Sequence, residues 1–219
     1  MVGEVIGMQI DGLIKKAYNV CDWIAKIVIV NILWLLFTLA GLIVLGIMPA
    51  TIALFTVVRK WTVSESDIPI FATFLRTYKK EFLQANYLGL FLVAIGSFLL
   101  YDLRLVLSME GNFLAVLGVP LMIMILCYLL ILLYIIPVYV HFELKFLQYF
   151  KYAFFIGILN IPTTLLMVML LLSFCMLLSF LPGFIPFFSV SVISIIIMFG
   201  ATTTFQRIAD KQQKYNVQN

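Results

Sequence analysis

Side chains able to do chemistry are scarce along this chain, and those present do not gather. The single histidine, His141, stands two residues before Glu143. Catalysis or zinc binding would need partners, and no second histidine or Cys-x-x-Cys pair supplies them, so His141 reads as an interface residue. Cys21, Cys127 and Cys175 are an odd number and far apart, which offers neither a disulfide framework nor a metal set. Ser173 and Ser179 stand among apolar residues with no histidine base near them and read as helix-to-helix hydrogen-bonding groups. No Gly-rich phosphate loop of the Walker type occurs. No catalytic, cofactor or metal site is therefore expected, and the chain does not read as an enzyme.

Carboxylates deep in a membrane are the usual mark of proton or cation coupling, because they are costly to place there. Asp22, Asp102 and Glu143 all fall near the ends of apolar runs instead. Asp102 and Arg104, two residues apart, do not share a helical face and read as solvated boundary residues.

The elements that must hold these side chains follow from the charge map. No Asp, Glu, Lys or Arg occurs between Lys151 and Arg207, nor between Glu110 and His141. Each gap far exceeds the roughly 20 apolar residues that cross a bilayer. With 64% hydrophobic and 11% charged residues, and a mean hydropathy of +1.17, lipid is the solvent for most of the chain. The net charge of +4 is not gathered in one patch, so nucleic acid is not an expected partner. The basic residues lie beside apolar spans, as cytoplasmic anchors do.

A polytopic all-α bundle with six membrane segments is the reading, with five as the alternative. Residues 1–22 form an amphipathic interfacial leader in which Ile6, Ile10, Leu13 and Ile14 recur at helical spacing. Residues 23–61 make a first hairpin, and 62–84 a cytoplasmic amphipathic helix with Ser66 or Asp67 as cap and Pro69 in its first turn. Residues 85–140 make a second hairpin, 141–152 a cytoplasmic elbow and 153–205 a third hairpin turned by Pro182, Gly183 and Pro186. A cytoplasmic tail, 206–219, completes the single integral membrane domain. The small residues near Ala40 do not read as a signal-peptide cleavage site, because the apolar run continues past them.

Residues 42–58 are the ambiguous segment, able to cross, re-enter or join residues 23–41 in one kinked span. Pro49 suits the first turn of a new helix, entered through a turn containing Gly46. Of the 14 Lys and Arg residues, a returning hairpin leaves only Arg104 on the far side, whereas a single crossing spreads them over both. The positive-inside rule thus favours the hairpin with both termini cytoplasmic. Broken backbone at membrane depth must face protein or a watered cavity, so Gly46, Pro49 and Thr51 are candidate ligand contacts, against the plainer reading as a packing kink. Arg59 and Trp61 are candidate ligand or partner contacts, and Arg76, Lys79 and Lys80 could attract acidic lipid or an acidic partner loop, although positive-inside anchoring explains them equally well. Asn31, Asn86, Asn160, Thr163 and Thr164 could bond a polyhydroxyl ligand, although interhelical bonding is their commoner role.

Two segments look alike. FLRTYKKEFLQANYLG, residues 74–89, and FELKFLQYFKYAFFIG, residues 142–157, both pass from aromatic and basic residues into a span. Parallel repeats of transport proteins look like this, and so do unrelated membrane interfaces.

PATIALFTVVRKW, the following DIPIF, KKEFLQAN and the later HFELK together resemble the YesL family of bacterial membrane proteins, over nearly the whole chain. Genes of that family often neighbour binding-protein-dependent sugar ABC transporters. The resemblance implies a plasma-membrane protein of carbohydrate uptake that works with permease subunits and membrane lipids, or alternatively a sugar permease itself. It implies no catalytic residues.

Overall fold

A computed structural model describes residues 2–63, 68–108 and 113–218, with side-chain surroundings defined for 14–63, 68–108 and 116–210. Seven α-helices account for nearly all of them: α1 (Val2–Ala40), α2 (Val44–Thr62), α3 (Ile70–Leu107), α4 (Phe113–His141), α5 (Phe146–Leu159), α6 (Ile161–Phe180) and α7 (Ile185–Gln218). A 3-10 turn, Pro182–Phe184, links α6 to α7. Six helical segments among the described residues are long and apolar enough to cross a membrane, one each in α1, α2, α3, α4, α6 and α7. The 14 residues of α5, about 21 Å of helix, fall short of the roughly 30 Å hydrocarbon core.

The first pair of helices is an antiparallel hairpin. Thr38 faces Gly46, Trp34 Nε1 donates to Thr51 Oγ1 at 3.0 Å, and the Trp23 and Trp61 rings stack edge to face at 5.6 Å. Those pairs run outward from the turn in opposite directions along the two helices. A single kinked span is therefore excluded. The turn lies at residues 41–43, where Leu42 and the β-branched Ile43 both take positive φ (58° and 64°), a region in which such side chains are strained. Gly46 and Pro49 are not at the turn, as the sequence suggests, but inside α2, which begins at Val44. Gly46 has a packing reason: a Cβ there would overlap the Thr38 carbonyl, so its absence lets the two backbones meet.

Two boundaries expected from polarity do not exist in the backbone. The leader continues into the first span as the 39-residue α1, and the amphipathic segment after Pro69 continues into its span as the 38-residue α3. Each is close to 57 Å long, nearly twice the hydrocarbon thickness. Polarity changes near residues 22 and 84, but no Gly or Pro stands there to stop a helix. The proposed caps Ser66 and Asp67 lie outside the described residues, and Pro69 is the N-cap of α3 and not in its first turn. Conversely, the stretch from 153 to 181 is broken at Asn160, where φ is −129° and ψ 50°, two residues before Pro162. Pro186 lies in the first turn of α7.

The core sits around α2, which packs on α1, α3, α4 and α7. Ala50, Ala53, Leu54, Val57 and Val58 of α2 are fully buried against Val30, Phe74 and Met198. A second cluster joins Leu88 of α3, Tyr134, Ile135 and Val138 of α4, Ala153 of α5 and Met167 of α6. Elsewhere the bundle shows large apolar side chains outward, among them Leu36, Leu90, Leu126 and Met169. Lipid is the medium that such a surface requires.

Candidate functional site

At one end of the bundle several basic residues converge, Arg59 and Lys80 among them. The C-termini of α2 and α4, the part of α7 around Phe205, the first turns of α3 and the non-helical residues 142–145 meet there. Ring contacts of Phe205 with His141 (4.7 Å) and Phe142 (5.1 Å) tie α7 to this end. A cleft of about 770 Å³ opens between α3 and the 142–145 elbow.

One wall comes from a single face of α3, because Thr77, Lys80, Glu81 and Gln84 recur at helical spacing. The opposite wall is the end of α4 and the elbow, with Tyr139, His141 and Glu143, backed by Tyr149 of α5. Thr56 and Arg59 of α2 close the floor. The polar groups are positioned by one another. Tyr139 OH donates to Glu81 Oε2 at 2.7 Å and lies 3.2 Å from Gln84 Oε1, while Lys80 Nζ is 3.3 Å from Glu81 Oε1. Arg59 Nη1 donates to the Val140 carbonyl at 2.8 Å, serving one of the last carbonyls of α4. The elbow is pinned by two backbone donors, Leu144 N to Tyr149 OH (3.1 Å) and Lys145 N to Gln148 Oε1 (3.0 Å). His141 Nδ1 is buried without a hydrogen-bond partner.

The candidates named from sequence separate into three places. Arg59 and Lys80 line the cleft. Arg76 and Lys79 lie on the exposed face of α3. Trp61 is buried against Trp23. Gly46, Pro49 and Thr51 belong to the α1–α2 contact; Gly46 is 13 residues from Arg59, about 20 Å along α2. Thr51 is engaged from both sides, donating to Ile47 O and accepting from Trp34.

Several polar residues at membrane depth join helices. The Asn31 carboxamide bridges α7: Nδ2 donates to Pro186 O at 2.6 Å, and Oδ1 accepts from Val190 N and Ser191 N, both at 3.1 Å. Pro186 O and Val190 N are the pair that a regular helix would bond to each other, and Asn31 engages both. Thr164 and Tyr134 share a hydrogen bond of 2.8 Å, and Thr164 Oγ1 lies 3.1 Å from both the Gly157 and Asn160 carbonyls, which joins α4, α5 and α6. Thr163 accepts from Arg207 Nη1 at 3.3 Å, and Asn86 donates within its own helix to Phe82 O.

Sequence reasoning missed Glu81, Gln84 and Tyr139. The polar i, i+3, i+4, i+7 stripe from Thr77 to Gln84 carried the signal, but it stands beside the stronger apolar stripe of Phe74, Tyr78 and Phe82. No cluster of three or more metal-ligating side chains occurs among the described residues, and nothing in them points to catalysis.

Residues 27–103 match the family model described as "Protein of unknown function, DUF624". Three Bacillus subtilis proteins are similar over most of their length. The uncharacterized protein YteU is 40% identical over 85% of this chain and 84% of its own. YesL is 36% identical over 94% and 98%, and YesV 38% over 87% and 91%. The chain belongs to the YesL family. No solved structure matches it. Within the YesL family the similarity is extensive, the YesL match running over 207 residues. The cleft is therefore built from segments that lie within the stretch of family similarity, α2 and α3 lying mostly inside the DUF624 match.

Proposed function

We propose that this YesL-family protein is a non-enzymatic, multi-pass component of the bacterial plasma membrane, with both termini cytoplasmic. It acts as an accessory or regulatory subunit of carbohydrate uptake beside an ABC-type sugar importer. The observation that supports this reading is the engagement of its deep polar groups. Asn31, Thr51 and Thr164 are committed to other helices, so they are poor lining for a solute path. Most of the charged groups stand at one end, where a partner or the membrane surface meets them. The sugar context rests on the family resemblance alone. Purification in mild detergent after cross-linking should recover sugar-permease subunits, and recovery of this chain only with itself would count against the reading.

A sugar permease in its own right is the second reading, favoured by a cleft of about 770 Å³, roomy enough for a small solute. Liposomes containing only this protein would then show saturable sugar flux. Flux equal to that of empty vesicles would remove it.

A further inference from the structure

Arg59 is the one cation of the cleft floor, and the described residues give it no counter-charge. Its Nη1 is taken by the Val140 carbonyl, which leaves most of the guanidinium fork undirected. The half-buried carboxylate of the cleft, Glu81, is already held by Tyr139 and Lys80. Glu143, the other acid lining the cleft, is exposed at its rim. The guanidinium cannot shed its charge, and a half-buried charge without a partner is costly. An anion in the cleft removes that cost, and a planar fork suits the paired oxygens of a phosphoryl group.

The surroundings indicate what carries the group. The cleft lies at the end of the membrane-crossing helices, where lipid headgroups sit. Beyond its polar wall, α3 exposes Leu83, Tyr87 and Leu90, while Leu147 is exposed beside the elbow. We propose that the cleft binds the phosphoryl group of an anionic phospholipid. Arg59 is its main ligand, Thr77 and Lys80 stand at the mouth, and the acyl chains lie along the apolar face of α3.

Native mass spectrometry of the full chain, released from vesicles with equal phosphatidylglycerol and phosphatidylcholine, tests this. The chain should retain phosphatidylglycerol preferentially. Arg59→Gln should lower that retention at least about tenfold, the size of a lost hydrogen bond to a charged group. Arg76→Gln, on the exposed face of α3, should leave it unchanged, and Glu143→Gln should raise it by removing a competing acid. Because Arg59 also serves the end of α4, Thr77→Trp provides a variant that fills the cleft and spares Arg59; it should lose retention equally. Thermal stabilisation by inorganic phosphate, lost in Arg59→Gln, without any lipid preference would uphold the phosphoryl site and overturn the lipid as its carrier. Equal retention of both lipids with no effect of phosphate, or equal losses in Arg59→Gln and Arg76→Gln, would overturn the site itself.

Discussion

Residues 74–89 and 142–157 begin from related sequences and arrive at different backbones. In both, an Ala-x-x-Leu/Ile-Gly step turns inward: Ala85, Leu88 and Gly89 are buried in the first, Ala153, Ile156 and Gly157 in the second. Each glycine admits a neighbour, since a Cβ on Gly89 would overlap the Met48 side chain of α2, and one on Gly157 would come 3.3 Å from the Tyr134 ring of α4. The flanks differ. The first segment lies within the unbroken α3, whereas the second is non-helical over 142–145 and ends its helix at Leu159. Where α3 continues through Leu92, Val93 and Ala94, the second segment has Asn160, Ile161 and Pro162, and proline cannot continue the ladder. The cleft exists because of this difference. One intact helix supplies a polar wall, and the elbow of its relative, with about one helical turn missing, faces it.

Loading the shared glycines should have the largest effect. Gly89→Leu and Gly157→Leu should each cost about 1–3 kcal/mol of unfolding free energy, the range for overpacked cores, measured by denaturant titration in mild detergent. Met48→Ala should recover part of the first loss. A neutral result at either glycine would break the comparison, because the shared step would then not be a packing contact.

A smaller effect separates two tyrosines, Tyr78 within the first segment and Tyr134 against the second. Tyr134 is fully buried and bonds Thr164 at 2.8 Å, whereas Tyr78 reaches the Phe37 carbonyl at 3.1 Å. Tyr134→Phe should cost about 1 kcal/mol and Tyr78→Phe about half that, within the range of interhelical bonds in membranes. The same titration checks the order, and equal losses would show that the second segment is no more tightly pinned than the first.

Pro162→Ala should do least, within about 0.5 kcal/mol. Pro162 lies in the first turn of α6, where a missing N–H is tolerated, and the bonds around Thr164 hold the bend without it. Distances between spin labels on α5 and α6 should stay unchanged; a straightened helix would assign the break to proline alone.

The charge gaps made the spans legible, and the basic residues made the returning hairpin legible, since both depend on the cost of charge in lipid. Helix ends were less legible. α1 and α3 run through the polarity change because backbone propensity does not change there, and the α1–α2 turn falls on Leu42 and Ile43, which carry no turn signal. The cleft was visible only in parts. Arg59 and Lys80 stood out as basic residues, but the contact of Arg59 with Val140, 81 positions away, is a product of packing.

The cleft requires the two related segments to stand at one face of the membrane. Single cysteines at Lys79 and Glu143, both exposed, test this in a chain whose Cys21, Cys127 and Cys175 are replaced by serine. An impermeant maleimide should label both in inside-out vesicles and neither in right-side-out vesicles. Labelling of the two positions from opposite sides would contradict the cleft and the shared end together.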